Sequence, residues 1–103
     1  MTAQVLHQPR VAWDFARVAV EAAAADTTTY TWFSGRVQDV LGAAYQQELD
    51  ATRARLCNSG RPDAQQVEVA RWRVSMEDAL RYVPGLGRWV ADLQLEVRAR
   101  LTV

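Results

Sequence analysis

From Arg10 to Ala25 the polar positions fall at Arg10, Asp14, Arg17 and Glu21, and every residue between them is apolar. Steps of four, three and four residues keep all four charges on one stripe of a helix. The pattern predicts a helix over 10–25 with a narrow polar stripe and an apolar arc covering roughly two-thirds of its circumference. Pro9 suits the start, because the N–H it lacks has no partner in a first turn. Residues 1–9 read as a lead-in. Opposite the charges lie Ala12, Ala16, Ala19 and Ala23, a seam of small side chains that lets another helix come close.

Asp26-Thr27-Thr28-Thr29 interrupts this pattern. Tyr30-Thr31-Trp32-Phe33 has strand-favouring residues, and the pattern alone leaves 27–33 open between helix, loop and strand. A lone strand would have no partner, so a cap followed by a helix is preferred, with either Thr29 or Ser34 as the cap. The stripe Phe33, Val37, Val40, Leu41, Ala44, Tyr45, Leu49, Thr52, Leu56 then predicts one second helix running to about Leu56. Its slow drift is that of a seven-residue repeat on a helix. Gly42 sits inside it and lowers local helix stability by about 1 kcal/mol relative to Ala.

Asn58-Ser59-Gly60 stops that helix. Asp63 with Gln66 makes a capping-box pattern for a third, whose stripe is Val69, Trp72, Met76, Ala79, Leu80 and Val83. Pro84-Gly85 ends it. A fourth follows with Leu86, Trp89, Val90, Leu93, Val97 and Leu101 on one face and Arg88, Asp92 and Glu96 elsewhere. Short turns between helical segments predict an all-α fold, an up-down bundle of about four helices forming a single domain over 1–103. A helical hairpin pair that completes its core in a dimer is the second architecture.

Composition changes the picture at a few points. The chain has 103 residues, a common domain length, and 50% of them are hydrophobic, which excludes a disordered chain. No apolar run reaches the roughly 18 residues needed to cross a bilayer, and Met1–Arg10 lacks the charged start and apolar stretch of a secretory signal. The expectation is a soluble, cytoplasmic protein. The lone Cys57 excludes an internal disulfide framework. There is no Lys, no Ile and a single Asn, the mark of a high-GC, bacterial genome. Twelve cations, all Arg, balance 12 acids, so the net charge is zero.

Catalytic sets are hard to assemble from these residues. His7 is the only histidine. No Glu-x-x-His stands on a helix, and one Cys with one His cannot supply the four ligands of a structural zinc site. Gly85-x-Gly87 follows a helix and has the wrong spacing for a phosphate loop. A Cys57–His7 nucleophile pair would lack a third, orienting group. Asp14, Glu21, Glu77 and Asp78 are acids of the kind any solvated helix face carries. No catalytic, cofactor-binding or metal-binding residue is therefore assigned, and the chain reads as a non-enzyme. Arg53, Arg55, Arg61, Arg71 and Arg73 could contact nucleic acid around a turn at Ser59-Gly60. Glu68, Glu77 and Asp78 interleave with them, which makes nucleic-acid binding the lesser reading. In size and helical content the chain resembles the small WXG-type secreted proteins, but it lacks their Trp-x-Gly turn. Trp32-Phe33-Ser34-Gly35 is one residue too long and too early, and Tyr82 is followed by Val83-Pro84-Gly85-Leu86 with no acid. No family is assigned.

What remains is surplus apolar surface. The third helix carries a second stripe, Val67, Ala70 and Val74, opposite Trp72, Met76 and Leu80, and Leu95 stands opposite the stripe of the fourth helix. Trp72 and Trp89 fall in core stripes; the place of Trp32 depends on where the second helix starts. Trp13, beside Arg17, is the best interface anchor, because Trp and Arg dominate binding hot spots. Glu48 and Arg55 either flank the core with their charged ends in water or pair across a dimer interface. The expected function is a non-enzymatic protein–protein interaction module, an accessory or adaptor protein. It would self-associate as a homo-oligomer or dock on a larger protein through Trp13, Val18, Val20, Val67, Val74 and Leu95, without a membrane and without a cofactor. The rivals are a DNA-binding regulator and a small helical ligand-binding protein or enzyme built around a buried Glu48.

Overall fold

The computed structural model describes residues 8–101, which hold five helices: α1 (Gln8–Ala23), α2 (Thr27–Leu41), α3 (Ala43–Asn58), α4 (Ala64–Tyr82) and α5 (Leu86–Leu101). The bundle is all-α, with five helices rather than about four, and measures 47 × 25 × 25 Å. Among the described residues no helix is long and apolar enough to cross a membrane. Gln8 and Pro9 belong to α1 rather than to a lead-in. His7 lies outside the described residues, so its pairing with Cys57 does too.

The wide apolar arc of the first helix is explained by its position. α1 runs through the middle of the bundle, packs most extensively on α4, and also touches α5, α3 and α2. Its alanine seam is buried completely, and so are Phe15 and Val18; Val20 is covered almost as well. Neighbours wrap the arc except along the charged stripe and its edge at Trp13. This corrects the expectation that Val18 and Val20 offer contact to a partner: both are spent inside the fold. Phe15 meets Phe33 at 6.1 Å and Trp72 at 6.3 Å between ring centres, and Tyr45 closes on Trp72 from the other side at 6.3 Å. The Trp72 indole N–H donates to Thr52 Oγ1 at 2.8 Å, and that hydroxyl donates on to the Glu48 carbonyl at 2.9 Å. The polar end of the largest core side chain is thereby satisfied.

The second predicted helix divides at Gly42. The Gly42 N–H bonds back to the Val37 and Gln38 carbonyls, and its backbone takes φ 98°, ψ 172°. That region belongs essentially to glycine. The chain reverses on this one residue, so α3 runs back along α2: Gln46 donates to Ser34 Oγ at 3.0 Å, and the Tyr30 hydroxyl reaches the Asp50 carboxylate. Hydrophobic spacing continues across Gly42 and so could not reveal the reversal, which comes from a backbone conformation.

Two caps also differ from expectation. Asp26, not Thr29 or Ser34, caps α2 by accepting from the Thr29 N–H at 3.2 Å. A hydrogen bond from the Thr29 hydroxyl, and then the capping bond from its N–H, lower the Asp26 carboxyl below its ordinary value. Residues 27–33 are thereby helix. Asp63 holds the N-cap position of α4 but makes no side-chain cap. Arg61 binds both its oxygens, at 2.9 and 3.0 Å, and takes the carboxylate away from the helix end.

Two part-buried tyrosines give the fold an alkaline limit. Burial, then the Asp50 carboxylate, pushes the Tyr30 phenol well above its usual value near 10. Burial, then the charge of Asp78, raises Tyr45. Both pKa values are higher in the folded chain than in the unfolded one. The folded state therefore keeps protons that the unfolded state releases above about pH 10, and stability falls as pH rises through that range. The contribution is complete below it. Urea midpoints measured from neutral to strongly alkaline pH should stay level and then drop, and Tyr30→Phe should soften the drop. An unaltered alkaline slope in Tyr30→Phe would contradict this account.

Candidate interaction surface

The exposed large hydrophobic side chains concentrate where α4 gives way to α5. Pro84 cannot extend α4, Gly85 turns the chain at φ 81°, and the Leu86 N–H bonds to the Val83 carbonyl to start α5. The inward face of α5 is then Leu86, Val90, Leu93 and Val97, all buried. Trp89 lies to the side of that stripe and is 65% exposed, which corrects its assignment to the core. Tyr82, the last residue of α4, is 75% exposed, and Val83 is half exposed. Two shallow apolar grooves, about 330 and 230 Å³, adjoin here and share Val40, Val83 and Leu86 as walls. Leu41, Tyr45 and Tyr82 line the first; Pro84 and Trp89 line the second. Asp78 and Asp39 stand at the edges. Sequence reading missed this corner because Val83 and Trp89 both fit a helical core stripe. The available signal was the clustering of Tyr82, Val83, Pro84 and Trp89 at a chain turn, where fewer neighbours can cover them.

The six residues expected to contact a partner do not form one surface. Trp13 is 43% exposed, with the Arg73 guanidinium 5.7 Å from its ring centre. It lines a groove of about 350 Å³ between α1 and the start of α4, where the covered Val20 also forms wall. Val67 is half-buried in a different groove, beside Arg55, Glu68 and Arg71. Val74 and Leu95 are exposed on α4 and α5.

The five arginines considered for nucleic acid are each engaged within the chain. Arg53 donates to the Ala23 and Ala25 carbonyls at 3.0 and 2.9 Å, capping the end of α1, and lies 4.4 Å over the Tyr30 ring. A cation at a helix C-terminus is well placed against the helix dipole. Arg55 grips Glu68 with two bonds, at 2.8 and 2.9 Å, and reaches Glu48 at 3.4 Å. Arg71 adds a longer contact to Glu68, at 3.8 Å. Arg61 holds Asp63, and Arg73 covers Trp13.

The partner of Arg55 is thus Glu68 of the same chain, and the idea of a pair across a dimer interface is corrected. Glu68 is almost fully buried. A carboxylate in that position needs a charged partner, and the bidentate guanidinium supplies one. Glu48 is half-exposed, not the buried acid that a catalytic reading required. Cys57 is exposed and lines a groove of about 480 Å³ with Ser59, Arg61 and Gln65. Of the remaining candidate acids, Asp14 and Glu77 are half-buried and Glu21 and Asp78 exposed; Asp14 faces Arg10 at 3.6 Å, Glu21 faces Arg98 at 3.8 Å and Asp78 faces Arg81 at 3.4 Å.

No family model, curated protein or solved structure matches this chain.

Proposed function

We propose that the chain is a non-enzymatic helical protein-interaction module that binds through the apolar corner between α4 and α5. The observation that carries this reading is the pair of exposed aromatics, Tyr82 and Trp89, set beside two connected apolar grooves. Each ring offers a large apolar area at small rotamer cost, and rings of this kind dominate binding energy when they enter a partner's pocket. The zero net charge raises no long-range barrier to another protein. Support also comes from the opposite end of α4, where the arginines are neutralised internally and leave little cationic surface for phosphate.

The test is site-specific photo-crosslinking. A photoreactive phenylalanine analogue replaces Trp89 in one variant and Gln65, at the far end of α4, in another. Defined adducts from position 89 and none from position 65 are expected, both in the purified chain at high concentration and in cells of the source organism. Absence of adducts from position 89 in both settings would overturn the proposal.

A further inference from the structure

We infer that the partner of this corner is a second copy of the chain, and that the two copies associate by exchanging α1 and α2 across a straightened Gly42 turn. The inference rests on reading the corner as a docking surface and adds what occupies it. The first observation is the hinge. α2 and α3 reverse on a single residue, held at φ 98°, ψ 172°, with no longer loop between them. The hydrophobic stripe runs through that residue unbroken, from Phe33 and Val37 to Leu49 and Leu56. At the turn itself, the glycine conformation is what separates the observed hairpin from one helix over 27–58. A hinge of one residue between segments that share a stripe is suited to exchange between copies.

The second observation is what holds the two halves together. α1 packs on α4 and α5. Arg36 of α2 pairs with Glu96 of α5 at 3.1 Å, and Glu21 of α1 faces Arg98 of α5 at 3.8 Å. Tyr30 bonds Asp50, and Ser34 accepts from Gln46. Every one of these contacts joins α1–α2 to α3–α5, so each can be rebuilt between copies without loss. Opening the hinge changes the turn alone.

The third observation ties the hinge to the corner. Val40 and Leu41, immediately before Gly42, are walls of the grooves that Tyr82 and Trp89 border. In an exchanged dimer the straightened helices cross beside these grooves. The two corners then meet across the symmetry axis and cover each other's aromatics. Neutral overall charge lets identical copies approach.

The test uses the hinge and a reporter of connectivity. A Cβ at Gly42 would meet no neighbouring atom, so Gly42→Ala acts through the backbone alone. Alanine is strained in the hairpin conformation and favoured in a continuous helix, which should raise the dimer population at least about tenfold by light scattering. In a Cys57→Ser background, Glu21→Cys and Arg98→Cys put thiols on facing positions of α1 and α5, to be joined by a bis-maleimide long enough to span the Glu21–Arg98 pair. Denaturing electrophoresis should show that crosslink joining two chains in the dimer. A dimer whose crosslink stays within each chain overturns the exchange, while position 89 still crosslinking to a second copy would leave the corner reading standing. A folded, monomeric Gly42→Ala also overturns it. Should that variant fail to fold, the native hinge is compared with one lengthened by four glycines after Gly42, both refolded at high concentration. Dimer from the native hinge alone supports exchange, and equal dimer from both overturns it.

Discussion

Phe15→Ala is expected to lower the unfolding free energy by about 3–5 kcal/mol. Phe15 is fully buried on the central helix, and its ring touches the aromatics of both α2 and α4. Removing it strips one set of contacts from each of the three helices at once. The alanine seam beside it has no long side chains that could swing in, so the cavity would stay open. A domain of this size has a total stability of about 5–15 kcal/mol, which makes the loss a large fraction of the whole. Urea titration followed by tryptophan fluorescence reads it directly, because Trp72 lies against the deleted ring. Leu95→Ala, on the exposed face of α5, serves as the control and should stay within about 0.5 kcal/mol of the parent. A Phe15→Ala loss no larger than that of the control would mean that α1 does not run through the core.

The same helix shows how far the sequence could be read. Charges at four-, three- and four-residue steps marked both the element and its orientation. The width of the apolar arc said that α1 was unusually demanding of cover. It could not say how many neighbours would supply that cover, since helical periodicity reports a face and not what packs on it. Val18 and Val20 were therefore open to assignment outside the fold, although four helices pack on α1 and both side chains are buried. Gly42 is the converse case. Its propensity cost inside a helix is small enough for packing to override, so the pattern favoured continuity, whereas a positive φ reverses the chain there.

The polar features were legible only as residue types. Glu68 looked like one more acid on a solvated face, because its partner Arg55 stands 13 positions earlier on another helix. A longer separation hid the role of Arg53, whose targets are carbonyls at the end of α1, 30 and 28 positions earlier. Trp89 was misplaced for a geometric reason. It neighbours the buried stripe of α5 on a helical wheel, but at the end of the bundle no other helix packs over that side. Exposure at a corner depends on where the chain turns and which helix ends run out, and neither is a property of one helix.

Tyr82→Ser combined with Trp89→Ser is expected to separate association from folding. Both rings are mostly exposed, so neither contributes much to the core, and the double variant should unfold within about 0.5 kcal/mol of the parent. Association should respond very differently. An aromatic that fills a partner's pocket contributes about 2 kcal/mol or more, close to 30-fold in affinity, and losing two of them should weaken binding by more than about 100-fold. Light scattering over a dilution series, with urea unfolding on the same samples, gives both quantities. Because the buried surface is apolar, raising the salt concentration should leave parental association unchanged, whereas contacts made by arginine would weaken. The single changes should together lose more than the double if the two rings share one pocket, since hot-spot values are not additive. Undiminished association in the double variant, with its stability intact, would move the interaction away from this corner and towards the groove beside Trp13.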